Sequence, residues 1–305
     1  MSDNLKFVFT LVAADPDRHP VTVAMIDEII GLLAADKIAS GPYIKWLRDD
    51  VAAEIEIGTM LSQDQMAKLR QTLADRQIDI FCQAAEGRRK QLLLADMDST
   101  IVTGETLDDL ADLAGIGDKI AAITKRAMNG ELDFIEAIRE RVAMLKDLPA
   151  DLIQTMQDDL KLNEGARNLV NTMRNHGATC VLVSGGFTVF TEPVALQAGF
   201  HHHHGNTLGV DGDRFTGVVH DPILDRDTKL RLLREYAQDL DLSCEQAMAI
   251  GDGANDLAML DAAGLGIGYH PKDLLQKALP NHIIHGDLST ALYAQGFSYN
   301  EFAIK

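Results

Sequence analysis

The run LLLADMDST (residues 92–100) ends three leucines in two carboxylates, Asp96 and Asp98, one residue apart. Like charges this close repel, so a cation or a held proton should relieve them. In an extended segment residues i and i+2 project to one side, which aims both carboxylates the same way and turns Met97 toward the core. One carboxylate can then bind a cation while the other keeps a proton near neutrality. A carboxylate can also act as a nucleophile and form an aspartyl-phosphate. A turn or helix cap by Asp98 with Ser99 and Thr100 accounts for the same residues, so this stretch alone decides nothing.

Three further segments bear on it. CVLVSGGF (180–187) reads as a buried strand ending at Ser184, with Gly185 and Gly186 next. A hydroxyl beside unobstructed amides makes a small anion cradle, or an ordinary strand-to-helix turn. In LDRDTKLRLLREY (224–236), Asp225 or Asp227 caps a helix and places Lys229 in its first turn. A cation there opposes the helix dipole, unless a phosphate stands ahead of the helix. AMAIGDGANDLAML (247–260) ends a strand in Asp252 between Gly251 and Gly253, with Asn255 and Asp256 just beyond. The glycines permit a tight turn, and the carboxylates are hard oxygen ligands of the kind magnesium prefers.

From residue 91 short apolar strands (QLLLAD, TCVLVSGG, AMAIGDG) alternate with helices, the pattern of a parallel sheet with crossovers. Ligands of such sheets sit outside the carboxyl ends of the strands. All three strands run into polar, glycine-rich loops, so the loops should meet at one site. Residues from about 104 to 160 hold more helix than one crossover needs, which predicts an inserted helical cap. The expected fold is α/β: a Rossmann-like parallel sheet with helices on both faces, spanning 91–305 with its cap.

Residues 1–84 read strand–helix–strand–strand–helix–strand, the ferredoxin-like order of an α+β domain. This unit resembles the ACT-type regulatory domains that precede many metabolic enzymes. A dimerising or stabilising module, hence a homodimer, and an amino-acid sensor fit it equally. AEGRRK (85–90) reads as a linker whose Arg88-Arg89-Lys90 run is a solvated face. His201 to His204 precede a hairpin, NTLGVDGDRFTG, and read as a partly exposed strand or loop; alternation lets at most two of them reach one metal.

The 305 residues carry a formal net charge of −18, which disfavours nucleic acid and anionic membrane surfaces and attracts divalent cations. Cys82, Cys180 and Cys244 are odd in number and widely spaced, as expected of free thiols in a reducing cytoplasm. FVFTLVAA near the start is bracketed by Asp3 and Asp15-Pro16 and reads as a strand rather than a signal segment. With no apolar run of transmembrane length, a soluble cytoplasmic protein is expected.

The ordered set D-x-D-S-T, S-G-G, a helix-start lysine and G-D-G-x-N-D resembles the haloacid dehalogenase-type phosphohydrolases over about residues 91–290. The resemblance implies Asp96 as nucleophile and Asp98 as general acid and then base. It implies Ser184, Gly185 and Lys229 on the phosphoryl oxygens, and Asn255 as a phosphate or substrate contact. It further implies Mg2+ held by the Asp96 carboxylate, the Asp98 main-chain carbonyl and Asp252, with Asp256 behind. A phospho-acceptor signalling receiver shares the aspartate, lysine and acidic pocket, but would be far shorter and lack both cap and D-x-D pair.

Substrate choice should lie in the cap. In DFIEAIRERVAMLKDLP (133–149), Phe134, Ile138, Val142 and Leu145 form one stripe, and at about 100° per residue Arg141 falls inside it. A guanidinium there needs an anion: an internal salt bridge, or a ligand carboxylate clamped bidentately. Glu105, just past Gly104, either complements a helix dipole or meets a cationic group. DMDSTIVTGET, ITKRAMNGELDF, RERVAMLKDLP and GDGAND together resemble the phosphoserine phosphatase family. That resemblance implies O-phosphoserine as substrate, Glu105 and Arg141 on its amino and carboxylate groups, and Met128 and Phe134 closing over it. Phosphohomoserine or another small amino-acid phosphate would suit the same pair.

Overall fold

A computed structural model of the chain describes residues 5–129 and 131–303, the side chains of Met128 and Arg226 excepted. The first unit comprises β1 (Phe7–Ala13), α1 (Val23–Ala35), β2 (Ser40–Arg48), β3 (Ala52–Ile57), α2 (Gln63–Leu73) and β4 (Ile78–Ala84). The strands form an antiparallel sheet in the order β2-β3-β1-β4, a ferredoxin-like arrangement.

Strand alternation explains how this sheet is used. Ile78, Ile80 and Cys82 of β4 pack with Phe9 and Leu11 of β1 under α1 and α2. The intervening residues face the rest of the chain: Phe81 joins the larger core with Val12, Leu47, Val51 and Ala52. Asp79 accepts the amides of Ile284 and Gly286, each at 2.8 Å, and of His285 at 3.2 Å. Gln83 donates to the Ala294 carbonyl.

In the Arg88-Arg89-Lys90 run, expected from sequence to be a solvated face, Arg89 is exposed while Arg88 is largely covered, and all three have partners. Arg88 pairs with the buried Glu54, Arg89 lies 4.2 Å over the Phe297 ring and bonds Glu301 at 2.8 Å, and Lys90 Nζ donates to the Glu245 carbonyl at 2.8 Å. Charges in a short connection become clamps when the two sheets it joins are packed together.

The second unit opens with β5 (Leu92–Ala95), then α3 (Thr106–Leu113), α4 (Gly117–Met128), α5 (Phe134–Ala143) and α6 (Leu152–Asp159). It continues through α7 (Ala166–Asn175), β6 (Thr179–Phe187), α8 (Thr188–Ala198), β7 (His202–Asp211), β8 (Arg214–His220) and α9 (Arg226–Asp239). β9 (Ala247–Gly251), α10 (Leu257–Ala262), β10 (Leu265–Tyr269), α11 (Asp273–Ala278), β11 (His282–Ile283) and α12 (Thr290–Ala294) complete it.

The sheet order is β11-β10-β9-β5-β6-β7-β8, parallel except that β8 runs antiparallel to β7. Leu92 and Leu94 pack toward α9 and α10, while Leu93 and Ala95 face the opposite core. Both faces are therefore covered, which is why the strands read as unbroken apolar runs. β5 lies between β6 and β9, so the chain changes direction across the sheet at its carboxyl end, the usual place for a ligand crevice.

Helices α3 to α6 follow β5 as the expected inserted cap. The β7–β8 hairpin props it: the amides of Asp147 and Ala150 donate to Phe215 and Asp213 at 2.9 and 2.8 Å. His203 and His204 lie in β7 and part to different partners, Thr191 and Tyr236, each at 2.8 Å. No helix among the described residues is long and apolar enough to cross a membrane.

Candidate active site

Beyond β5, Asp96 (φ −66°, ψ 156°) and Asp98 (φ −66°, ψ 136°) flank Met97, which opens a tight helical turn and is fully buried, and both aspartates line one cavity. The Val102 amide then returns to the Met97 carbonyl at 3.0 Å, and Ser99 takes a left-handed φ of 54°. The Ser99 hydroxyl donates to Glu105 Oε1 at 2.9 Å and ties the cap's entry to the loop after β5.

Asp96 Oδ1 accepts the Met97 amide at 2.8 Å and lies 2.6 Å from Lys229 Nζ, leaving Oδ2 without a partner among the described residues. Asp98 Oδ1 accepts the Thr106 amide at 2.8 Å, so it does cap α3; its Oδ2 accepts the Ser184 hydroxyl, also at 2.8 Å. The Ser184 oxygen in turn accepts the Gly186 amide at 2.8 Å. A Cβ on Gly186 would stand 3.0 Å from Ser184 Oγ and 3.2 Å from Asp98 Oδ2, so glycine keeps this cradle open.

Lys229 sits in the first turn of α9, which Asp225 caps by accepting the Thr228 amide at 3.0 Å. Its buried ammonium is 2.6 Å from Asp256 Oδ1 as well as from Asp96. Asp256 Oδ2 takes the Gly253 amide at 3.1 Å, so both its oxygens are engaged from behind. A Cβ on Gly251 would lie 2.5 Å from Asp256 Cγ; only glycine lets the two approach.

Asp96, Asp252 and Asp256 are buried and offer oxygens within 4.8 Å of one another. Burial first, then Asp256 and more weakly Asp98, push the Asp96 carboxyl well above the usual range against the pull of Lys229. Burial alone would lower Lys229, but Asp96 and Asp256 reverse that and hold the ammonium above its ordinary value. Four carboxylates at the strand ends face two ammonium groups, Lys229 and Lys272. The surplus of negative charge and the hard oxygen donors suit a bound dication.

A cavity of 190 Å³ opens between these loops and the cap, lined by Asp96, Asp98, Glu105, Phe134, Arg141, Gly185, Asp252 and Asn255 among others. Arg141 lies on the buried side of α5 as its periodicity requires, and pairs with Asp108 of α3, while its Nε is buried without a partner. The internal salt bridge and the cavity-facing guanidinium are both present. Burial and then Asp98 raise the Glu105 carboxyl. Phe134, 44% exposed, reaches across so that a Cβ on Gly185 would meet its Cζ at 3.3 Å. Ser184 stands just behind the cavity wall, joined to Asp98, and the side chain of Met128 is outside the described ones.

Lys272 and Asp108 join the site although neither is among the residues expected from the sequence. Lys272 opens α11 beyond β10, and its Nζ is 2.9 Å from Asp252 Oδ2. The signal was available: P-K-D after an apolar strand repeats the helix-start lysine that marked Lys229. Asp108 carried no such mark, because its meeting with Arg141 depends on how α3 lies against α5.

A family profile described as haloacid dehalogenase-like hydrolase matches residues 93–261. The chain is 38% identical over 224 residues to a phosphoserine phosphatase of Archaeoglobus fulgidus, a match covering 73% of this chain and 65% of that protein. A phosphoserine phosphatase of Lactococcus lactis is 38% identical over 203 residues, covering 67% of this chain and 94% of its own length. The solved structure of a probable phosphoserine phosphatase from Vibrio cholerae superposes with a TM-score of 0.77 at 26% identity, over 97% of this chain and 88% of that one. Matched from β5 through the glycine-rich loop after β9, the chain belongs to the haloacid dehalogenase-like hydrolase family.

Proposed function

We propose that this chain is a magnesium-dependent phosphoserine phosphatase, acting in the cytoplasm on O-phosphoserine through an aspartyl-phosphate. The observation that carries the reading is one cavity holding the Asp96–Asp98 pair on its floor with Glu105 and Arg141 in its wall. A small phosphomonoester with amino and carboxylate groups needs an acid and a guanidinium opposite its phosphate. The A. fulgidus and L. lactis relatives carry that activity in their names.

Asp96 Oδ2 attacks phosphorus in line; the new O–P bond forms as the seryl O–P bond breaks, and Asp98 gives its proton to the departing seryl oxygen. Water then attacks phosphorus, Asp98 takes its proton, and Asp96 is freed as phosphate leaves. Lys229, the Ser184 hydroxyl and the Gly185 amide balance charge on the phosphoryl oxygens. Mg2+, when bound by Asp96, Asp252 and the Asp98 carbonyl, supplies Lewis-acid neutralisation of the same oxygens. Phe134 over Gly185 excludes water while the first step proceeds.

We also read residues 1–84 as an ACT-like unit suited to pairing two copies or sensing an amino acid, 85–90 as its connection, and 91–305 as the catalytic unit with its cap. Phosphate release from O-phosphoserine, O-phosphohomoserine, O-phosphothreonine and p-nitrophenyl phosphate, with and without Mg2+, tests the function. The expected result is a kcat/KM highest for O-phosphoserine and lost on chelation. Preference for another of these esters overturns the substrate, and turnover undiminished by chelation overturns the dication.

A further inference from the structure

Arg141 and Lys272 line the cavity and Lys229 stands behind its Asp96, and each of these cations is held differently. Lys229 is fixed between two buried carboxylates, and Arg141 is carried by the cap. Lys272 alone has a side chain 66% exposed, yet its ammonium ends 2.9 Å from Asp252 Oδ2 and 3.8 Å from Glu105 Oε1. Its main chain is fixed, for the Lys272 amide donates to the Asp252 carbonyl at 3.1 Å. What can move is the four-carbon stem and the compact charge at its end.

The two carboxylates under that ammonium are the ones which, in the function proposed above, serve incoming cations. Asp252 faces the dication, and Glu105 the substrate's amino group. An ammonium within 3 Å of Asp252 and a dication on the same carboxylate repel each other strongly in a partly buried crevice. With its stem in solvent, Lys272 can withdraw into water at little desolvation cost, which Lys229 cannot.

We propose that Lys272 is a displaceable internal counter-ion. It neutralises Asp252 and Glu105 while the site awaits its ligands, and it competes with the dication for Asp252. It is a positioning residue that weakens metal binding and stabilises the metal-free site, without contact with the reacting atoms.

The proposal rests on the dication reading, and its test separates the two. Mg2+ alone is titrated calorimetrically into chelator-stripped full-length wild type, Lys272→Met and Lys272→Arg, and the metal-free proteins are melted in parallel. An exposed ion pair of this kind implies about two- to fivefold tighter Mg2+ binding by Lys272→Met. Lys272→Arg, which keeps the charge, should bind Mg2+ as wild type does. Metal-free Lys272→Met should melt below wild type, with the gap closing as Mg2+ is added. Equal or weaker Mg2+ binding by Lys272→Met, or tightening as large in Lys272→Arg, overturns the counter-ion role. Wild type that binds no Mg2+ overturns the dication reading itself.

Discussion

Lys229 Nζ stands 2.6 Å from an oxygen of Asp256 and 2.6 Å from an oxygen of Asp96, with all three groups buried. Removing the ammonium leaves two carboxylates facing each other without a fixed counter-charge. Lys229→Met should therefore lose about 3–5 kcal/mol of stability in urea unfolding at pH 7.5, besides its turnover. A loss under about 1 kcal/mol would mean that water or a proton already compensates the pair.

Asp96→Asn should abolish turnover and acid-stable phosphoenzyme together, because an amide oxygen so held cannot form the acyl phosphate. Asp98→Asn retains a group of the same shape between the Thr106 amide and Ser184 but carries no transferable proton. Its turnover should fall by about 10²–10⁴-fold. Rapid-quench trapping with labelled O-phosphoserine checks both; near-normal turnover in Asp96→Asn would remove that residue from the nucleophile role.

In the proposed function Arg141 holds the substrate carboxylate and takes no part in the chemistry. Its loss costs a charged hydrogen bond, so Arg141→Ala should raise KM for O-phosphoserine by about 10- to 100-fold. Hydrolysis of p-nitrophenyl phosphate, which offers no carboxylate, should stay nearly unchanged. Equal damage to both substrates would assign Arg141 to holding Asp108 and the cap alone.

Acid sensitivity should trace to His282, which is buried on β11. Burial first, then the Arg70 charge, lower its pKa from the ordinary value to about 4. Between about 6.5 and 4 the unfolded chain takes up the proton more readily, so stability falls as pH drops through that window and is flat above it. The loss is about 3 kcal/mol at most. Asp79, raised by burial, acts in the opposite sense. Comparing urea midpoints of wild type and His282→Asn at pH 7.5 and pH 5 isolates the histidine; equal acid loss in both would clear it.

The floor of the site was legible because β5, β6 and β9 are short apolar runs that each stop at a chemical residue, and a parallel sheet obliges their ends to meet. Arg141 was legible through helical period alone. The pairings that tune these groups were not. Asp98 meets Ser184 across 86 residues of sequence, and Arg141 finds Asp108 only once α3 and α5 are packed. Arg88 departs from the solvated face expected for a related reason: its partner, Glu54, sits on the covered face of β3, and nothing in the local sequence announces that this face is covered.

The grip of Asp79 on the amides of residues 284–286 has a thermodynamic corollary. Phe81 and Val12 share one apolar cluster with Leu93 and Ala95 of β5, so melting either sheet exposes apolar surface of the other and couples their stabilities. A ligand or second copy bound to the four-stranded sheet would thereby add to the stability of the sheet that carries Asp96, even without any movement of the cap.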